Sequence, residues 1–509
     1  MNDELPKGWS LTSLDQVQMN LSSSINPAKT PDEKFELYSV PSYETNRPEI
    51  IVGREVGSSK RTVTPGTVLL CKINPRINRA WVVGNYSPHL KIASTEWIPF
   101  PRVDAVEPGY LRYYLSRIEL RDFLASRASG VGGSLMRINL STLKGYPLPL
   151  APMPEQQRIV AEIQKQFTRL DAAVTALETA QVKLKRYRAS VLNAACEGRL
   201  VPTEAELARS AGREYERGNA LLERMQKERR ASWENEQLGK LKAAGKRPKD
   251  DRWKSKYKEP LLPDSEALPE LPEGWVWASS DQCTARITDG EHLTPERSDG
   301  GVLLLSARNV RDGFLLLESV DYVSESVYRT LTKRLKIEAG DVLLSCSGSV
   351  GRSCVVPAGL IFALVRSVAV LKPVFDMGSY MSYALRSPRL QAQIAEKKSQ
   401  TAQANIFQGK IRMLMFPLAP LAEQSRIVSE IDRLLSICEG LQTVIERSLK
   451  RAERLRQSVL TRAFEGKLVT QHPGDEPAGI LLARIKVERE GADAQAAPGA
   501  KSRKKSKAR

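Results

Sequence analysis

Apolar side chains recur at alternating spacings of four and three residues along two separate stretches of the chain. In the first stretch the stripe runs Ile163, Phe167, Leu170, Val174, Leu177, Gln181, Leu184, Arg188 and Val191. In the second it runs Ile431, Leu435, Cys438, Gln442, Ile445, Leu449, Ala452, Arg456 and Val459. Such a period keeps one narrow seam facing a partner helix over many turns, so it predicts two long helices of coiled-coil type. Pro152 and Pro154 suit the start of the first helix and Gly198 its end. At about 1.5 Å per residue, roughly 45 residues make a rod of about 68 Å. Two seams of equal length in one chain can bury each other, and we expect them to pair antiparallel.

The two stretches are copies of one another. Residues 149–201 align without a gap onto 417–469, with identical residues at 23 of the 53 positions. Pro149-Leu150-Ala151-Pro152 returns as Pro417-Leu418-Ala419-Pro420, and Glu155-Gln156 as Glu423-Gln424. At the far end Glu197-Gly198 returns as Glu465-Gly466. Upstream, Leu5-Pro6-Lys7-Gly8-Trp9 is echoed by Leu271-Pro272-Glu273-Gly274-Trp275, and downstream Ala220-Leu221-Leu222 is echoed loosely by Ile480-Leu481-Leu482. Internal repetition on this scale means one architectural plan used twice.

Between the helices the pattern changes. Residues 1–148 and 265–416 carry short β-type runs broken by Gly, Pro, Asn and Ser, which predicts two α+β globular heads. They share little beyond the opening motif and a strand-like Gly66-Thr67-Val68-Leu69-Leu70, echoed by Gly340-Asp341-Val342-Leu343-Leu344. The expected organisation is a head (1–148), a helix (149–202), a charged helical insert and linker (203–264), a second head (265–416), a second helix (417–470) and a basic, disordered tail (471–509). The fold class is α+β: two heads alternating with two long helices, related by an internal pseudo-two-fold repeat.

Composition adds a partner. The 509 residues suggest roughly three or four domains. They hold 77 Lys plus Arg against 59 Asp plus Glu, a net charge of +18. This excess favours a polyanion, because neutralising phosphates releases counterions. The six cysteines are scattered without a C-x-x-C pair, and no secretory apolar region follows Met1. Both point to a reducing cytoplasm. The longest apolar stretch, around Gly359 to Val365, is far too short to span a membrane.

Catalytic signatures are absent. No phosphate-binding G-x-x-x-x-G-K-[ST] loop occurs, nor an Asn-Pro-Pro or Asp-Pro-Pro followed by an aromatic residue. Asn74-Pro75-Arg76 fails at its third position, and His89, His292 and His472 are too dispersed for a metal site. Asp250-Asp251 with Lys254 lie in the polar insert, a poor setting for a nuclease centre. What the heads offer instead is polar side chains on turns. Lys72, Asn74, Arg76, Asn78 and Arg79 follow the strand ending at Leu70, and a Gly-rich loop ending at Ser134 precedes Arg137. In the second head Ser347, Ser349 and Arg352 hold the corresponding place after Leu344, with His292 and the pair Arg308 and Asn309 as further polar positions. Arg and Lys suit guanine edges, Asn and Gln suit adenine, and all of them also hold phosphates. These are the candidate DNA-binding residues; we expect no catalytic or metal-binding residue.

The opening Leu-Pro-x-Gly-Trp of each half, Pro-Leu-x-Pro-x-x-Glu-Gln-x-x-Ile/Val at each helix start and Glu-Gly-x-Leu-Val at each helix end resemble the specificity subunits of type I restriction-modification systems. Asp289-Gly290-Glu291-His292-Leu293-Thr294-Pro295 and Gly348-Ser349-Val350-Gly351 also look like elements of their target recognition domains; the first head carries Lys72-Ile73-Asn74-Pro75-Arg76 instead of the second element. The resemblance implies a non-catalytic protein whose two target recognition domains each read one half of a split double-stranded DNA sequence. It implies assembly with two modification subunits, which bind S-adenosylmethionine and methylate adenine, and with restriction subunits, which use ATP and Mg. No cofactor is expected in this chain. Two other readings of the residues are a stand-alone nucleic-acid-binding regulator and a coiled-coil adaptor that binds only proteins.

Overall fold

The computed structural model describes residues 5–17, 23–129, 136–248, 250–262, 268–290, 295–399, 404–484 and 486–487. The chain forms two compact units, one of residues 1–178 with 446–509 and one of residues 179–445. Each is built from a head, the first half of one long helix and the second half of the other.

The long helices run Met153–Cys196 and Leu421–Phe464, 44 residues each. They start a few residues later than the repeated block, because its first residues are strand. In the first unit Ile159 and Ile163, near the start of the first helix, share a core with Val459, Leu460, Ala463 and Phe464, near the end of the second. In the second unit Val191, Leu192, Ala195 and Cys196 share one with Ile427 and Ile431. The start of one helix meets the end of the other in both units, so the pairing is antiparallel. The seam is the one read from the sequence: of its eighteen positions only Gln181 is exposed, and the rest are buried or half-buried.

The first head holds a five-stranded sheet in the order Ser24–Ile25, Lys60–Thr62, Leu90–Ala93, Lys34–Tyr38, Glu49–Val52, with the pair of Lys34–Tyr38 and Leu90–Ala93 parallel. A three-stranded antiparallel sheet places Val68–Cys71 between Ala80–Val82 and Trp97–Phe100. The second head repeats the plan with other lengths. A four-stranded sheet runs Thr284–Asp289, Val368–Pro373, Val342–Ser345, Ser353–Val355. A three-stranded sheet places Val302–Leu305 between Asp321–Val323 and Phe362–Leu364. Each head then adds two consecutive helices, Pro108–Leu115 with Ile118–Arg127, and Gly378–Arg386 with Pro388–Lys397. Heads that share almost no sequence therefore share a scaffold.

The repeated motifs are the joints of that scaffold. Ser10–Ser13 pairs antiparallel with Pro147–Leu150, and Val276–Ser279 with Met415–Leu418. The opening turn needs a left-handed residue, supplied by Gly8 (φ +82°) and Gly274 (φ +84°). It delivers Trp9, whose indole Nε1 donates to Glu155 Oε2 at 3.1 Å, and Trp275, which donates to Glu423 Oε1 at 3.1 Å. The neighbouring glutamines cap the strand-to-helix turn: Gln156 Nε2 donates to Ala151 O (2.9 Å) and Gln424 Nε2 to Ala419 O (2.8 Å). Tyr110 and Tyr380 donate to the carbonyls of Pro149 and Pro417.

The segments after the helices complete the units. Gly218 N donates to Gly274 O, and Ala478 N to Gly8 O at 2.8 Å. Residues 471–484 are thus folded rather than part of a disordered tail, with Ala478 and Leu481 buried in the first unit's core. Packing of Leu481 against an apolar core overrides the polar composition around it. The charged insert contains helices at Glu204–Ala211 and Gly218–Ala243, the second anchored at Leu221 and Met225.

Glu155→Ala strands a buried indole N–H and is expected to cost about 1–3 kcal/mol; Glu155→Gln keeps an acceptor and costs less. Burial holds the Glu155 carboxyl above its ordinary range, despite the indole donor. The folded state therefore binds the proton more tightly than the unfolded state does. Stability contributed by the protonated carboxyl is present below the ordinary carboxylate pKa and is lost as pH rises through the raised value. Chemical denaturation of wild type and Glu155→Gln at stepped pH should show wild type losing stability relative to the variant across that window.

Candidate nucleic-acid interface

The buried strand Val68–Cys71 delivers its successor residues to one edge of the first head. There Asn74 (φ +49°) and Asn78 (φ +50°), both left-handed, bracket a short turn over Pro75–Ile77. Asparagine tolerates this conformation better than most residues. The turn presents Arg76 and Ile77 outward; Ile77 is 54% exposed. The remaining candidates have local partners. Lys72 Nζ donates to Thr95 O at 2.6 Å, and burial together with Arg61 nearby holds its ammonium below the usual lysine range. Asn78 Nδ2 donates to Arg117 O at 3.3 Å, fastening the turn to the second helix of the head. Arg79 is largely buried and ion-paired to Glu44 at 3.2 Å. Arg137 pairs with Glu96 at 2.9 Å while staying more than half exposed. Ser134 lies outside the described residues.

In the second head the buried strand Val342–Ser345 leads into a loop over residues 346–352. Ser345 Oγ organises it, donating to Ser349 O (2.6 Å) and accepting from Arg352 N (2.9 Å). Gly351 (φ +97°) packs so closely on Gln391 that an added Cβ would come within 2.9 Å of its Oε1. Ser347 borders an open groove of about 640 Å³ that also takes in Asp289, Arg366, Asn405, Phe407 and Gln408. Gln408 Nε2 donates to Asp289 Oδ1 at 2.9 Å, fixing one wall. Phe407 is 64% exposed, unusual for an aromatic ring beside so many polar groups. Burial pushes the Cys346 thiol up to about 12, so it is not a nucleophile at neutral pH.

The remaining candidates stand apart from this groove. Arg308 is ion-paired to Asp321 at 2.9 Å. Asn309 is 1% exposed: its Oδ1 accepts from Ser306 N and its Nδ2 donates to Leu316 O, so it holds a turn and presents nothing to a ligand. His292 lies outside the described residues. Four groove residues were missed by sequence reading: Arg366, Asn405, Phe407 and Gln408. Asn405 was within reach, because the gapless offset of the repeat, carried back past Pro149 and Pro417, sets it on Arg137. Nothing in the sequence marks Arg366, which sits in a tight turn between strands ending at Leu364 and starting at Val368.

No protein-family model matches the chain. The type I restriction enzyme EcoAI specificity subunit of Escherichia coli is 21% identical over 87% of this chain and 80% of its own length. The EcoBI specificity subunit of the same species is 22% identical over 75% of this chain and 70% of its own length. The chain resembles the type I restriction enzyme specificity subunits. The fold agrees: a chain solved in a study of complex assembly and conformational transition of the type I R-M system superposes with a TM-score of 0.65 at 20% identity, over 92% of this chain and all of that one. The HsdS subunit from Thermoanaerobacter tengcongensis gives 0.50 at 19% identity over 92% and 99%. Among the described residues no cluster of three or more His, Cys, Asp or Glu could hold a metal, and no helix is long and apolar enough to cross a membrane.

The bonds around Asn309 and Arg76 predict opposite behaviour in two variants. Asn309→Ala removes both buried anchors of a turn and is expected to destabilise the second unit by about 1–3 kcal/mol. Arg76→Ala, on a solvent-facing tip, is expected to shift stability by less than about 0.5 kcal/mol. Chemical denaturation monitored by tryptophan fluorescence ranks them, and the reverse order would exchange their roles.

Proposed function

We propose that each head reads one half of a bipartite DNA target and that the chain directs adenine methylation and DNA cleavage by partner subunits. The observation that carries this reading is one scaffold built twice with unlike side chains at its exposed edge: Lys72, Asn74 and Arg76 in one head, Ser347, Ser349 and Arg352 in the other. Supports of the same design that carry heads with unlike edges suit two different surfaces. Base edges in a DNA groove supply that difference, read by hydrogen bonds that the polar tips can make. The net charge of +18 supplies affinity through the phosphates.

The chemistry belongs to the partners. Two modification subunits bind S-adenosylmethionine and transfer the methyl group; restriction subunits bind ATP and Mg and cut. In this reading a partner helix docks in the second unit on Ile437, Leu441 and Val444, an exposed apolar stripe beside the occupied seam.

The purified chain is expected to transfer no methyl group and cleave no DNA. With its modification partner it should methylate one two-part site. Changing Lys72, Asn74 and Arg76 together should alter only one half of that site, and changing Ser347, Ser349 and Arg352 only the other, at about 1–3 kcal/mol per base-reading contact. Equal weakening on every DNA sequence would reduce these residues to phosphate contacts. Turnover by the chain alone would overturn the assignment.

The helices act as a ruler in this reading. Inserting one heptad into each, near Ala176 and near Val444, keeps the seam in register. Each helix lengthens by about 10 Å. At about 3.4 Å per base pair, the preferred gap between half-sites should grow by at most about three base pairs. Affinity should fall, because three base pairs rotate one half-site by roughly 100° at about 10.5 base pairs per turn. Mapping of methylated adenines checks this; a folded, active variant with the original gap would show that something else sets the spacing.

A further inference from the structure

In the first head a single bridge joins Ile73 to Arg137, flanked by Asn74 N donating to Met136 O (2.8 Å) and Ile138 N donating to Lys72 O (3.0 Å). In the second head a single bridge joins Ser347 to Asn405, flanked by Gly348 N donating to Ala404 O (3.3 Å) and Ile406 N donating to Cys346 O (2.9 Å). The bonding pattern is the same, residue for residue. Arg137 and Asn405 therefore occupy one structural address. Ile138 and Ile406, the next residues, are each 2% exposed. Alternation along an extended chain then turns residues 137 and 405 away from the core.

The side chains at this address are of the two kinds that best discriminate purines. The Arg137 guanidinium spends one nitrogen on Glu96 and keeps N–H groups free. The Asn405 amide has no hydrogen bond to any described residue, while its own backbone N–H is held by Ser399 Oγ at 3.2 Å. The backbone is still extended at Phe407 (φ −92°, ψ 153°), so its exposed ring lies on the same side as Asn405. An Asn amide matches adenine N6 and N7, an apolar side chain matches the thymine methyl, and an Arg fork matches guanine O6 and N7.

We infer that positions 137 and 405 are the paired base-reading addresses of the two heads. Arg137 takes a guanine in one half-site; Asn405, with Phe407 against the thymine methyl, takes an A·T pair in the other. This rests on the reading of the heads as DNA readers and names their bases. It also makes the address a two-letter code, Arg for guanine and Asn for adenine.

The test uses the full chain assembled with its modification subunits, mapping methylated adenines genome-wide. Asn405→Arg should change one position of one half-site from adenine to guanine, and Arg137→Asn should make the opposite change in the other half. In case a swap is inactive, Asn405→Ala is titrated against duplexes carrying each base pair at each position. A preference of roughly 5- to 150-fold at one A·T pair should collapse while all other positions hold. Replacing thymine by uracil at that pair should weaken wild type and leave Phe407→Ala unaffected. If wild type methylates a two-part site and Asn405→Ala retains every preference, the inference fails and the reading of the heads survives. If wild type shows no two-part site, the reading itself fails.

Discussion

A buried indole donating to a buried carboxylate fixes the geometry of both units. A buried indole N–H and a buried carboxyl are each costly when left unpaired, so Glu155 and Glu423 favour placing Trp9 and Trp275 where the two can bond. The tryptophan in turn sets the opening turn, the strand that follows it, and the strand just before each long helix. Helix ends obey the same joint. Gly466 lies against Pro6 and Gly198 against Pro272 so closely that a Cβ at either glycine would come within 2.4 Å of the proline ring. The motifs that repeat in the sequence are the ones that meet at this joint, which is why they tolerate so little drift while the heads diverge.

Legibility followed the range of the interactions. The long helices were readable because a seam is periodic, and of its four polar members Arg188, Gln442 and Arg456 are half-buried at the expected places while Gln181 is exposed. Arg456 pairs with Asp171 across the helices, which a hydrophobic pattern does not announce. The strands after Gly66 and Gly340 were readable from their apolar runs, as Val68–Cys71 and Val342–Ser345. The common scaffold of the heads was not, because matching folds need only matching burial. At the interface, residue type alone could not separate readers from props. Asn78, Arg79 and Asn309 have the chemistry of base readers but are engaged with Arg117, Glu44 and Ser306. Only three-dimensional neighbours decide that.

The insert shows how a charged segment becomes ordered without a large core. The helix Gly218–Ala243 is met by the segment after it through Trp233, stacked on Trp253 with ring centres 6.0 Å apart, and Tyr257 at 5.3 Å. Arg229 ties this cluster to the second head, donating to Thr284 O at 3.1 Å and to Tyr257 Oη at 2.6 Å. Aromatic area and one well-connected guanidinium do here what a seam of leucines does in the long helices.

The division of the chain into a contiguous unit and a split one has a consequence for synthesis. The second unit needs only residues 179–445, so its core can close once those residues have left the ribosome. The first unit buries Val459, Phe464, Ala478 and Leu481 among residues from the opening of the chain. Its head emerges first yet must wait through the whole of the second unit, residues 179–445, for the helix half that covers it. Loop closure over that span is costly in entropy and delays burial. The part made earliest is therefore the part finished last, and during that interval its exposed apolar face is the stretch of the nascent chain most in need of a chaperone.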